Sequence, residues 1–412
     1  MKDKKDVLFL CQYFYPEFVS SALLPFQTAK ILVEYGLKVG VLTGMPNEYI
    51  KDNKSVSARE VVSDIKIYRK KYFAFDRKKK IDRLFNYFSF LCSVLLSIAK
   101  FRKYKLIIVY SNPPLLPIIA VLAKKLFGVK MIFVSYDIYP EGAINTKVIS
   151  ENGVISKIMK WINNLTFKNC SKVIAVSDDM KEFIIKNRNI DESKVSVIHN
   201  WVTEKKKEIK TLNNVKLKRI RDNYKLVISY FGNMGIAQDL DTIVETIWHL
   251  NNKNVAFVFA GHGNKKDWII QTINNKKLNN CFVFDYLKGR DFLESLAMTD
   301  LFIVSLKKNL GGLAVPSKIY SYYQSGKPVI AIMDEFTDIY KEIRDNKAGI
   351  FIKNGDGERL AKKIEYLMHN KSEIYIMKAN LQKMVKEKYS PEISLNKYFK
   401  VISDVLNGGV NV

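Results

Sequence analysis

The chain has 412 residues, 48% of them hydrophobic and 26% charged, and these proportions exclude global disorder, a collagen-like repeat and a disulfide scaffold. Its 67 Lys and Arg outnumber its 41 Asp and Glu, and the formal net charge of +26 indicates an anionic partner: nucleic acid, an anionic membrane or a phosphorylated small molecule. The four cysteines show no C-x-x-C spacing, which argues against a zinc ribbon or a thioredoxin-like motif. A chain of this length is expected to form two or three domains.

The N-terminal segment has an apolar run that is too short for a signal peptide, and no run of about 18 uninterrupted apolar residues follows it. One segment, Leu84–Ala99, comes close to that length. We therefore expect a cytoplasmic protein without a membrane-spanning helix.

In the first half of the chain, short β-branched runs alternate with helical patterns. Each run is almost continuously apolar, as expected of strands covered by helices on both faces of a parallel sheet. The predicted strands are Val7–Cys11, Lys38–Thr43, Leu106–Tyr110, Met131–Tyr136, Val173–Ser177 and Val195–His199. The predicted helices are Leu23–Tyr35, Leu84–Ala99, Leu115–Phe127, Ser156–Asn169 and Asp179–Asn187.

Residues 203–225 are charged and lack an apolar period, which favours a linker over an exposed helix. The alternation then restarts. The next predicted strands are Leu226–Phe231, Val255–Ala260, Cys281–Asp285, Leu301–Ser305, Pro328–Ile332 and Gly349–Ile352. The helices predicted among them are Leu240–Leu250, Asp291–Met298, Ser317–Ser325 and Glu358–His369.

Two such arrays joined by a linker predict an α/β protein with two doubly wound, Rossmann-like domains that face a cleft. The predicted N-terminal domain covers residues 1–202, the linker 203–225 and the C-terminal domain 226–389. The last ~40 residues are predicted to be helical.

In doubly wound domains, ligands bind outside the carboxyl ends of the strands. Gln12–Glu17 follows the first predicted strand and Asp137–Glu141 the fourth, and both segments combine aromatic residues, a proline and a carboxylate. No histidine precedes His199, so a carboxylate is the leading candidate for a catalytic group in this domain. Asp137 or Glu141 would act as a base or accept a hydrogen bond from a hydroxyl group, and a helix-capping or turn role is equally open.

Two glycine-containing loops in the C-terminal domain are candidate phosphate sites. Ser229–Gly235 joins a strand to a helix, and Gly311–Lys318 combines glycine amides, a hydroxyl group, a lysine and a helix N-terminus, which together suit a diphosphate. The alternatives are a plain turn at the first loop and an exposed lysine at the second. Asp239 and Asp241 form the D-x-D pattern of metal-bound nucleotide sites, but their position at the start of a helix favours capping.

The apolar segment Leu84–Ala99 would be roughly 24 Å long as a helix, shorter than the ~30 Å core of a bilayer. Basic residues flank it on both sides, which favours contact with the headgroups of an anionic membrane over a core helix with snorkelling ends. The flanking basic residues are Lys78, Lys79, Lys80, Arg83, Lys100, Arg102 and Lys103, and the apolar residues predicted to insert are Leu91 and Leu95.

Several motifs also resemble those of a known family. Pro316–Tyr320 and Gly326–Ala331 are the most specific, and Gly232–Asp241 resembles a donor loop. The other matching segments are Gln12–Glu17, Thr43–Asn47, Asn112–Leu115, Asp137–Glu141 and Val197–Asn200. Together they resemble the GT-B glycosyltransferases of family 4, in particular the bacterial aminosugar transferases of capsule and O-antigen assembly.

The resemblance implies a retaining transfer of a sugar from a nucleotide diphosphate, usually UDP, with no cofactor and no required metal. It places the donor in the C-terminal domain and the acceptor in the N-terminal domain, to which the helix at 390–412 crosses back. The donor-binding candidates are Gly232, Asn233, Gly235, Tyr286, Gly311, Gly312, Ser317, Lys318 and Ser321. The acceptor-binding candidates are Tyr15, Glu17, Ser20, Ser21 and Tyr139, and the catalytic candidates are Asp137 and Glu141.

The chain departs from the family pattern at several positions. Val19–Ser21 replaces the glycines that are common in the first acceptor loop, and Ser321 stands where a glutamate usually binds the donor ribose. Ile236 replaces a basic residue of the donor loop, which leaves Lys318 as the main cation for the diphosphate. Asp137 takes the place of the common histidine.

The sequence thus predicts a transferase, peripheral at the inner face of the cell membrane, that acts in surface polysaccharide biosynthesis. It would move a sugar, with N-acetylated amino and deoxyamino sugars among the options, from a UDP-sugar to a polyprenyl-diphosphate-linked or other lipid-linked acceptor. One alternative is a UDP-sugar epimerase of the same architecture. The other is a basic, non-enzymatic nucleic-acid-binding protein, but nucleic acid is not the expected partner because the basic residues flank an apolar helix.

Overall fold

The computed structural model describes residues 4–46, 56–75, 80–202, 209–251 and 253–408. The chain forms two compact units. Unit 1 comprises Met1–Thr203, Gly312–Val315 and Pro391–Val412, and unit 2 comprises Glu204–Gly311 and Pro316–Ser390. Each unit is built on a mainly parallel β-sheet, so the predicted α/β class with two doubly wound domains is confirmed.

The sheet of unit 1 has the order β3-β4-β2-β1-β5-β6-β7-β8. The edge strand β3 pairs antiparallel with β4, and all the other pairings are parallel. These strands are β1 (Lys5–Leu10), β2 (Val39–Gly44), β3 (Arg59–Val62), β4 (Ile65–Lys70), β5 (Tyr104–Tyr110), β6 (Lys130–Ser135), β7 (Lys172–Ala175) and β8 (Val195–Val197). The helices are α1 (Ser20–Glu34), α2 (Lys80–Leu95), α3 (Pro117–Phe127), α4 (Glu141–Asn145), α5 (Val154–Asn169) and α6 (Asp178–Arg188).

Unit 2 contains a parallel sheet in the order β11-β10-β9-β12-β13-β14. Its strands are β9 (Leu226–Phe231), β10 (Val255–Ala260), β11 (Cys281–Phe284), β12 (Leu301–Ser305), β13 (Val329–Ile332) and β14 (Gly349–Ile352). Its helices are α7 (Val215–Asn223), α8 (Leu240–His249), α9 (Lys266–Asn275), α10 (Gly289–Met298), α11 (Lys318–Ser325), α12 (Asp338–Asp345), α13 (Gly357–His369) and α14 (Lys371–Lys388).

The central strands of both sheets are buried along nearly their whole length. In unit 1, Phe9 of β1, Ile108 of β5 and Val134 of β6 have no exposed surface. In unit 2, all six residues of β9 are buried. These strands therefore form rigid cores, and the loops at their carboxyl ends carry the candidate site residues.

The predicted linker is partly helical. Residues 203–208 lie outside the described residues, but α7 occupies the second half of the segment. Asn214 caps this helix, because its side-chain oxygen accepts hydrogen bonds from the N–H groups of Lys216 and Leu217 at 3.1 and 3.2 Å. Only Leu217 and Ile220 of α7 are buried, and two apolar positions are too few to give the sequence a helical period.

The C-terminal helix α15 (Pro391–Leu406) belongs to unit 1, which confirms the expectation from the family resemblance. Tyr398 and Ile402 of α15 are buried in the core of this unit, and the Tyr398 ring meets Trp201 edge-on at 5.9 Å. Ser394 Oγ donates to the His199 carbonyl oxygen at 2.9 Å. Helix α15 therefore packs into the core of unit 1.

Candidate active site

The loop after β9 forms the centre of the donor-side candidates. Gly232 has a φ of +111°, a conformation that favours glycine, and its N–H donates to the last carbonyl of β10 at 2.9 Å. The Met234 N–H donates to the His262 carbonyl at 2.7 Å. A Cβ atom would lie 2.1 Å from a Gly232 oxygen if placed at Gly261, and 2.4 Å from the Met234 oxygen if placed at Gly263. The two loops therefore pack backbone to backbone.

Lys318, the first residue of α11, reaches this loop. Its Nζ donates hydrogen bonds to the Tyr230 hydroxyl and, at 3.3 Å, to the Asn233 carbonyl, and it lies 3.7 Å from the centroid of the Tyr230 ring. Desolvation disfavours the charged ammonium and lowers the pKa of Lys318 to about 7. A Cβ built on Gly232 would lie 3.8 Å from Lys318 Cε. The structure thus brings together three of the predicted residues, Gly232, Asn233 and Lys318.

Tyr322, one turn further along α11, holds the end of β9. Its hydroxyl accepts a hydrogen bond from the Phe231 N–H at 2.8 Å and donates to the Phe231 carbonyl at 3.0 Å. Its ring stacks on Phe302 with 4.3 Å between centroids, and the side chain is fully buried. Because Phe231 immediately precedes Gly232, Tyr322 fixes the loop after β9 relative to the helix that carries Lys318.

Three further donor-side candidates remain accessible. Ser317 is exposed directly before α11, and Ser321 is half-buried on that helix, so both lie at the end that carries Lys318. Tyr286 follows β11 and is 59% exposed, with its ring centroid 6.0 Å from that of His262. It lines an open cavity of about 530 Å³ together with residues 214–216 and 283–287.

The remaining glycines are engaged by the protein itself. The Gly235 N–H donates to a glutamine side chain of its own loop at 2.9 Å. A Cβ at Gly311 would lie 2.6 Å from the Phe336 ring, so close packing requires glycine there. Gly312 belongs to unit 1, has a φ of +73° and donates its N–H to Asp179 Oδ2 at 2.9 Å. The Gly312 amide, predicted to be part of a diphosphate cradle, thus already donates a hydrogen bond to a buried carboxylate.

The predicted capping role of Asp239 is confirmed. Its Oδ1 accepts a hydrogen bond from the Thr242 N–H at 3.2 Å, and its Oδ2 accepts from the Thr242 hydroxyl at 2.6 Å and from Asn354 Nδ2 at 2.8 Å. Asp241 forms an ion pair with Lys265 at 2.9 Å. Both carboxylates of the D-x-D pattern therefore have protein partners.

The acceptor-side candidates follow β1 and β6, which lie on either side of β5 in the sheet of unit 1. Ser111, directly after β5, accepts hydrogen bonds from the N–H groups of Tyr136 and Asp137 at 3.0 and 3.2 Å. The Asp137 backbone also pairs with Ala314. Desolvation raises the pKa of the Asp137 carboxyl to about 6, and no residue in the described part of the chain hydrogen-bonds to that side chain. Hydrogen bonds therefore fix the backbone of Asp137, whereas its carboxylate has no hydrogen-bond partner among the described residues.

Glu141 is held in an ion pair. The Arg188 guanidinium donates to Glu141 Oε2 at 2.6 Å and to the Tyr139 carbonyl at 3.3 Å. The Arg188 side chain is 4% exposed and lies over the rings of Phe167 and Phe183. This geometry ties α4 to α6 and supports a structural role for Glu141.

The first acceptor loop contains both accessible and buried candidates. Tyr15 is 38% exposed and stacks on Phe26 with 4.9 Å between centroids. Ser20 and Ser21 are the first two residues of α1, and Ser20 is exposed. Glu17 is only 2% exposed, so Tyr15 and the two serines are the more accessible of the acceptor candidates in this loop.

Helix α2 presents an apolar face to solvent. Its exposed fractions are 53% at Phe85, 60% at Phe88 and 42% at Leu95, whereas Leu91 is half-buried. The exposed basic residues after it, in the 3₁₀ helix Ile98–Lys103, are Lys100, Arg102 and Lys103. Lys78 and Lys79, and the side chains of Lys80 and Arg83, lie outside the described residues. Among the described helices, none combines the length and the apolarity that crossing a bilayer requires.

Sequence analysis missed the residues that position the candidates: Tyr230, Tyr322, Asp179 and Arg188. Tyr230 and Tyr322 lie in segments that read as buried strand and helix, where an aromatic residue is ordinary core. Asp179 and Arg188 bind partners 133 and 47 residues away in the chain, and the sequence carries no signal of those pairings.

Comparison with known proteins adds independent findings. A family model described as "Glycosyl transferases group 1" matches residues 211–388, and one described as "Glycosyltransferase Family 4" matches residues 26–206. "Probable glycosyltransferase WbjE" of Pseudomonas aeruginosa is 24% identical over 320 residues, which cover 77% of this chain and 79% of that protein. The GPI3 subunit of phosphatidylinositol N-acetylglucosaminyltransferase of Saccharomyces cerevisiae is 24% identical over 279 residues, which cover 66% of this chain and 56% of that protein.

Among solved structures, HepE from Anabaena in complex with UDP and glucose superposes with a TM-score of 0.72 at 15% identity, covering 97% of this chain and 100% of that one. The two parallel-sheet units and this likeness define the GT-B fold, the architecture of a large class of glycosyltransferases. The chain is a glycosyltransferase, and it belongs to the GT4-type family that the two models describe.

Proposed function

We propose that the enzyme transfers a sugar from a UDP-sugar to a lipid-linked acceptor, with retention of configuration, during assembly of a surface polysaccharide. The observation that carries the proposal is the contact of Lys318 Nζ with the loop after β9, at the N-terminus of α11. A lysine beside a helix N-terminus suits a diphosphate. The choice of UDP is supported by the likeness to HepE, whose structure was solved with UDP and glucose.

Lys318 would stabilise the leaving diphosphate. Negative charge grows on that group as the glycosidic bond breaks, so a fixed cation stabilises the transition state more than the ground state. The lysine has a pKa of about 7 in the ligand-free protein. A bound diphosphate is a nearby negative charge and raises this pKa, so donor binding should be coupled to proton uptake by Lys318.

Asp137 is the group proposed to meet the acceptor hydroxyl. With a pKa of about 6 it is ionised at neutral pH, so it can orient the hydroxyl and take its proton late in the transfer. Tyr15, Ser20, Ser21 and Tyr139 would contact the rest of the acceptor. Glu141 stays the second candidate, and the mechanism uses no metal and no cofactor.

A lipid-linked acceptor at an anionic membrane is supported by the exposed apolar residues of α2 and the basic residues that follow it. The relative from Saccharomyces cerevisiae is named for phosphatidylinositol and N-acetylglucosamine, which supports both a lipid acceptor and an N-acetylated amino sugar. The location proposed is the inner face of the cell membrane.

The donor is tested with the purified full chain against a panel of nucleotide sugars, by calorimetry in two buffers of different ionisation enthalpy. We expect UDP-sugars to bind best, with proton uptake between about pH 7 and 9. Lys318→Ala should weaken binding roughly ten- to a hundredfold and abolish the proton uptake, because charge-assisted hydrogen bonds contribute ~1.5–3 kcal/mol. Lys383→Ala, an exposed lysine of α14, is the matched control.

Three outcomes would contradict this proposal. Tight binding of a guanosine or adenosine diphosphate sugar would show that the donor is not a UDP-sugar. Interconversion of a UDP-sugar without any acceptor would indicate an epimerase. Complete inactivation by EDTA with rescue by Mn²⁺ would require a metal in the mechanism.

The membrane part is tested by sedimentation with vesicles of phosphatidylcholine, with and without phosphatidylglycerol. The anionic vesicles should bind more protein, and high salt should release it because the Debye length falls to ~3 Å at 1 M. Leu95→Glu should weaken binding, since Leu95 is exposed on α2. Equal binding to both vesicle types would rule out the electrostatic attraction.

A further inference from the structure

We propose that α5 forms a second contact with the anionic bilayer, made by the outward side chains of Val154, Ile155, Ile158 and Trp161. The inference extends the proposed membrane location, on which it rests. This surface, the α5 stripe, shares no residue with the basic flanks and the α2 face described above. Its spacing of i, i+1, i+4 and i+7 places the four side chains on one side of the helix.

Both sides of α5 carry large apolar side chains. The stripe residues are exposed by 73%, 44%, 48% and 58% in chain order. The inward side carries Met159, Ile162 and Phe167 together with polar residues. Of the polar residues, Asn163 and Thr166 donate to backbone carbonyls of the same helix at 3.2 and 2.8 Å. A helix that only covered a core would have one apolar side, facing inward, and a polar side facing solvent. Exposed apolar surface of this kind marks an interaction site.

The charges of α5 identify the partner. Lys157, Lys160 and Lys168 lie on the exposed side among the stripe residues, and the helix has no Asp or Glu. A second copy of the chain docked here would bring two sets of lysines together, which costs free energy through like-charge repulsion. An anionic lipid surface is complementary to the lysines, and Trp161 is the side chain that prefers the boundary between headgroups and hydrocarbon.

The neighbouring helices extend the same surface. Helix α3 connects β5 to β6 and α5 connects β6 to β7, so right-handed crossovers place both helices on one face of the sheet. Helix α3 packs against α5 and against α2. It adds Leu122 and Leu126, which are 36% and 63% exposed. The apolar side chains of α2, α3 and α5 thus lie on one side of unit 1 and can meet the same bilayer.

Trp161 provides the direct test, with the full chain and vesicles of phosphatidylcholine and phosphatidylglycerol. Binding should shift the tryptophan emission to shorter wavelength. Trp161→Phe should lose most of the shift, whereas Trp248→Phe should keep it, because Trp248 is a similarly exposed tryptophan of unit 2. An unchanged shift in Trp161→Phe would overturn the proposal.

Two sets of variants test affinity. The triple change Lys157→Gln, Lys160→Gln and Lys168→Gln should weaken vesicle binding about a hundredfold, since each basic residue at an anionic surface contributes ~1 kcal/mol. Ile158→Glu should weaken it further, with Tyr366→Glu, at an exposed position of α13, as its control. The proposal would be contradicted if the lysine variant bound vesicles as well as the parent. It would also be contradicted if these variants changed the molecular mass in solution, because the stripe would then be a dimer interface.

A failure here is distinguishable from a failure of the proposed function. UDP-sugar binding is measured in solution without vesicles and should be the same in all α5 variants. If those variants bind vesicles like the parent while UDP-sugars still bind, only the α5 contact is wrong. If vesicle binding responds as expected but no UDP-sugar binds, only the proposed donor is wrong.

Discussion

Asp137 combines a fixed backbone with a carboxyl whose pKa is raised to about 6. Because the protonated acid cannot accept a proton, kcat/KM should rise with pH through a limb near pH 6. Asp137→Asn should abolish this limb and lower transfer ~10²–10⁴-fold, the range for loss of a positioned acid or base. The measurement is a pH profile of transfer together with donor affinity, which should not change. A stable variant with near-normal transfer would remove Asp137 from the mechanism.

The pH dependence of stability separates this role from a structural one. Between about pH 4 and 6 the folded protein holds the Asp137 proton more tightly than the unfolded chain, so this group's contribution to stability falls as pH rises through that window. Asparagine has no such proton. The melting temperature of Asp137→Asn, relative to the parent, should therefore be higher near pH 7.5 than near pH 4.5. A lower relative value near pH 7.5 would indicate that the ionised carboxylate is structural.

Glu141→Gln is the matched control at the same loop. Its partner Arg188 is almost fully buried, and loss of the charge leaves a guanidinium with a weaker acceptor. We expect a lower melting temperature with transfer per folded molecule within a few-fold of the parent. A large loss of transfer without any loss of stability would exchange the roles of Glu141 and Asp137.

At the scale of elements, the contact between α11 and β9 positions the loop that carries the donor-side candidates. Tyr322→Phe removes both hydrogen bonds to the Phe231 backbone. Leaving these buried groups unpaired should lower the free energy of unfolding by ~1–3 kcal/mol and raise the KM for the donor more than it lowers kcat. Urea unfolding and initial-rate kinetics measure the two effects. Tyr366→Phe, an exposed tyrosine of α13, should change neither, and equal effects in the two variants would contradict the positioning role.

The sequence predicts the buried strands that consist of a continuous apolar run, such as β5, β6, β9 and β10. The strand β4 was missed because Arg69 occupies one of its buried positions, where it pairs with Glu60 at the edge of the sheet. Helix α7 was missed because it is defined by the Asn214 cap and only two buried side chains, which give the sequence no apolar period.

The candidate site was predictable in its location but not in its contacts. The rule that ligands bind beyond the carboxyl ends of strands pointed to the loops after β1, β6 and β9. Partners joined only by the fold, such as Lys318 with Tyr230 at a separation of 88 residues, have no signature in one sequence. The same holds for Gly312, whose amide the sequence assigned to a diphosphate and the structure assigns to Asp179.

At the scale of the whole molecule, the path of the chain makes unit 1 depend on its last helix. Lys130 Nζ donates to the Val405 carbonyl at 2.7 Å. Tyr35, the residue directly after α1, stacks on Phe399 with 4.0 Å between ring centroids. Ile402 has no exposed surface and belongs to the same core as the strands β1, β5 and β6. Helix α15 therefore contributes side chains to the core of unit 1.

Ile402→Ala tests this dependence. Deleting buried methyl groups leaves a cavity in the core, so the free energy of unfolding should fall by ~2–5 kcal/mol. Hydrogen exchange should accelerate at the amides of β1, β5 and β6, because α15 packs against the core that these strands form. Lys400→Ala, an exposed position of the same helix, keeps the helix and removes no core contact, so it should leave both readouts unchanged. If the two variants unfold alike, α15 covers unit 1 without stabilising it, and the dependence of this unit on the C-terminal segment is disproved.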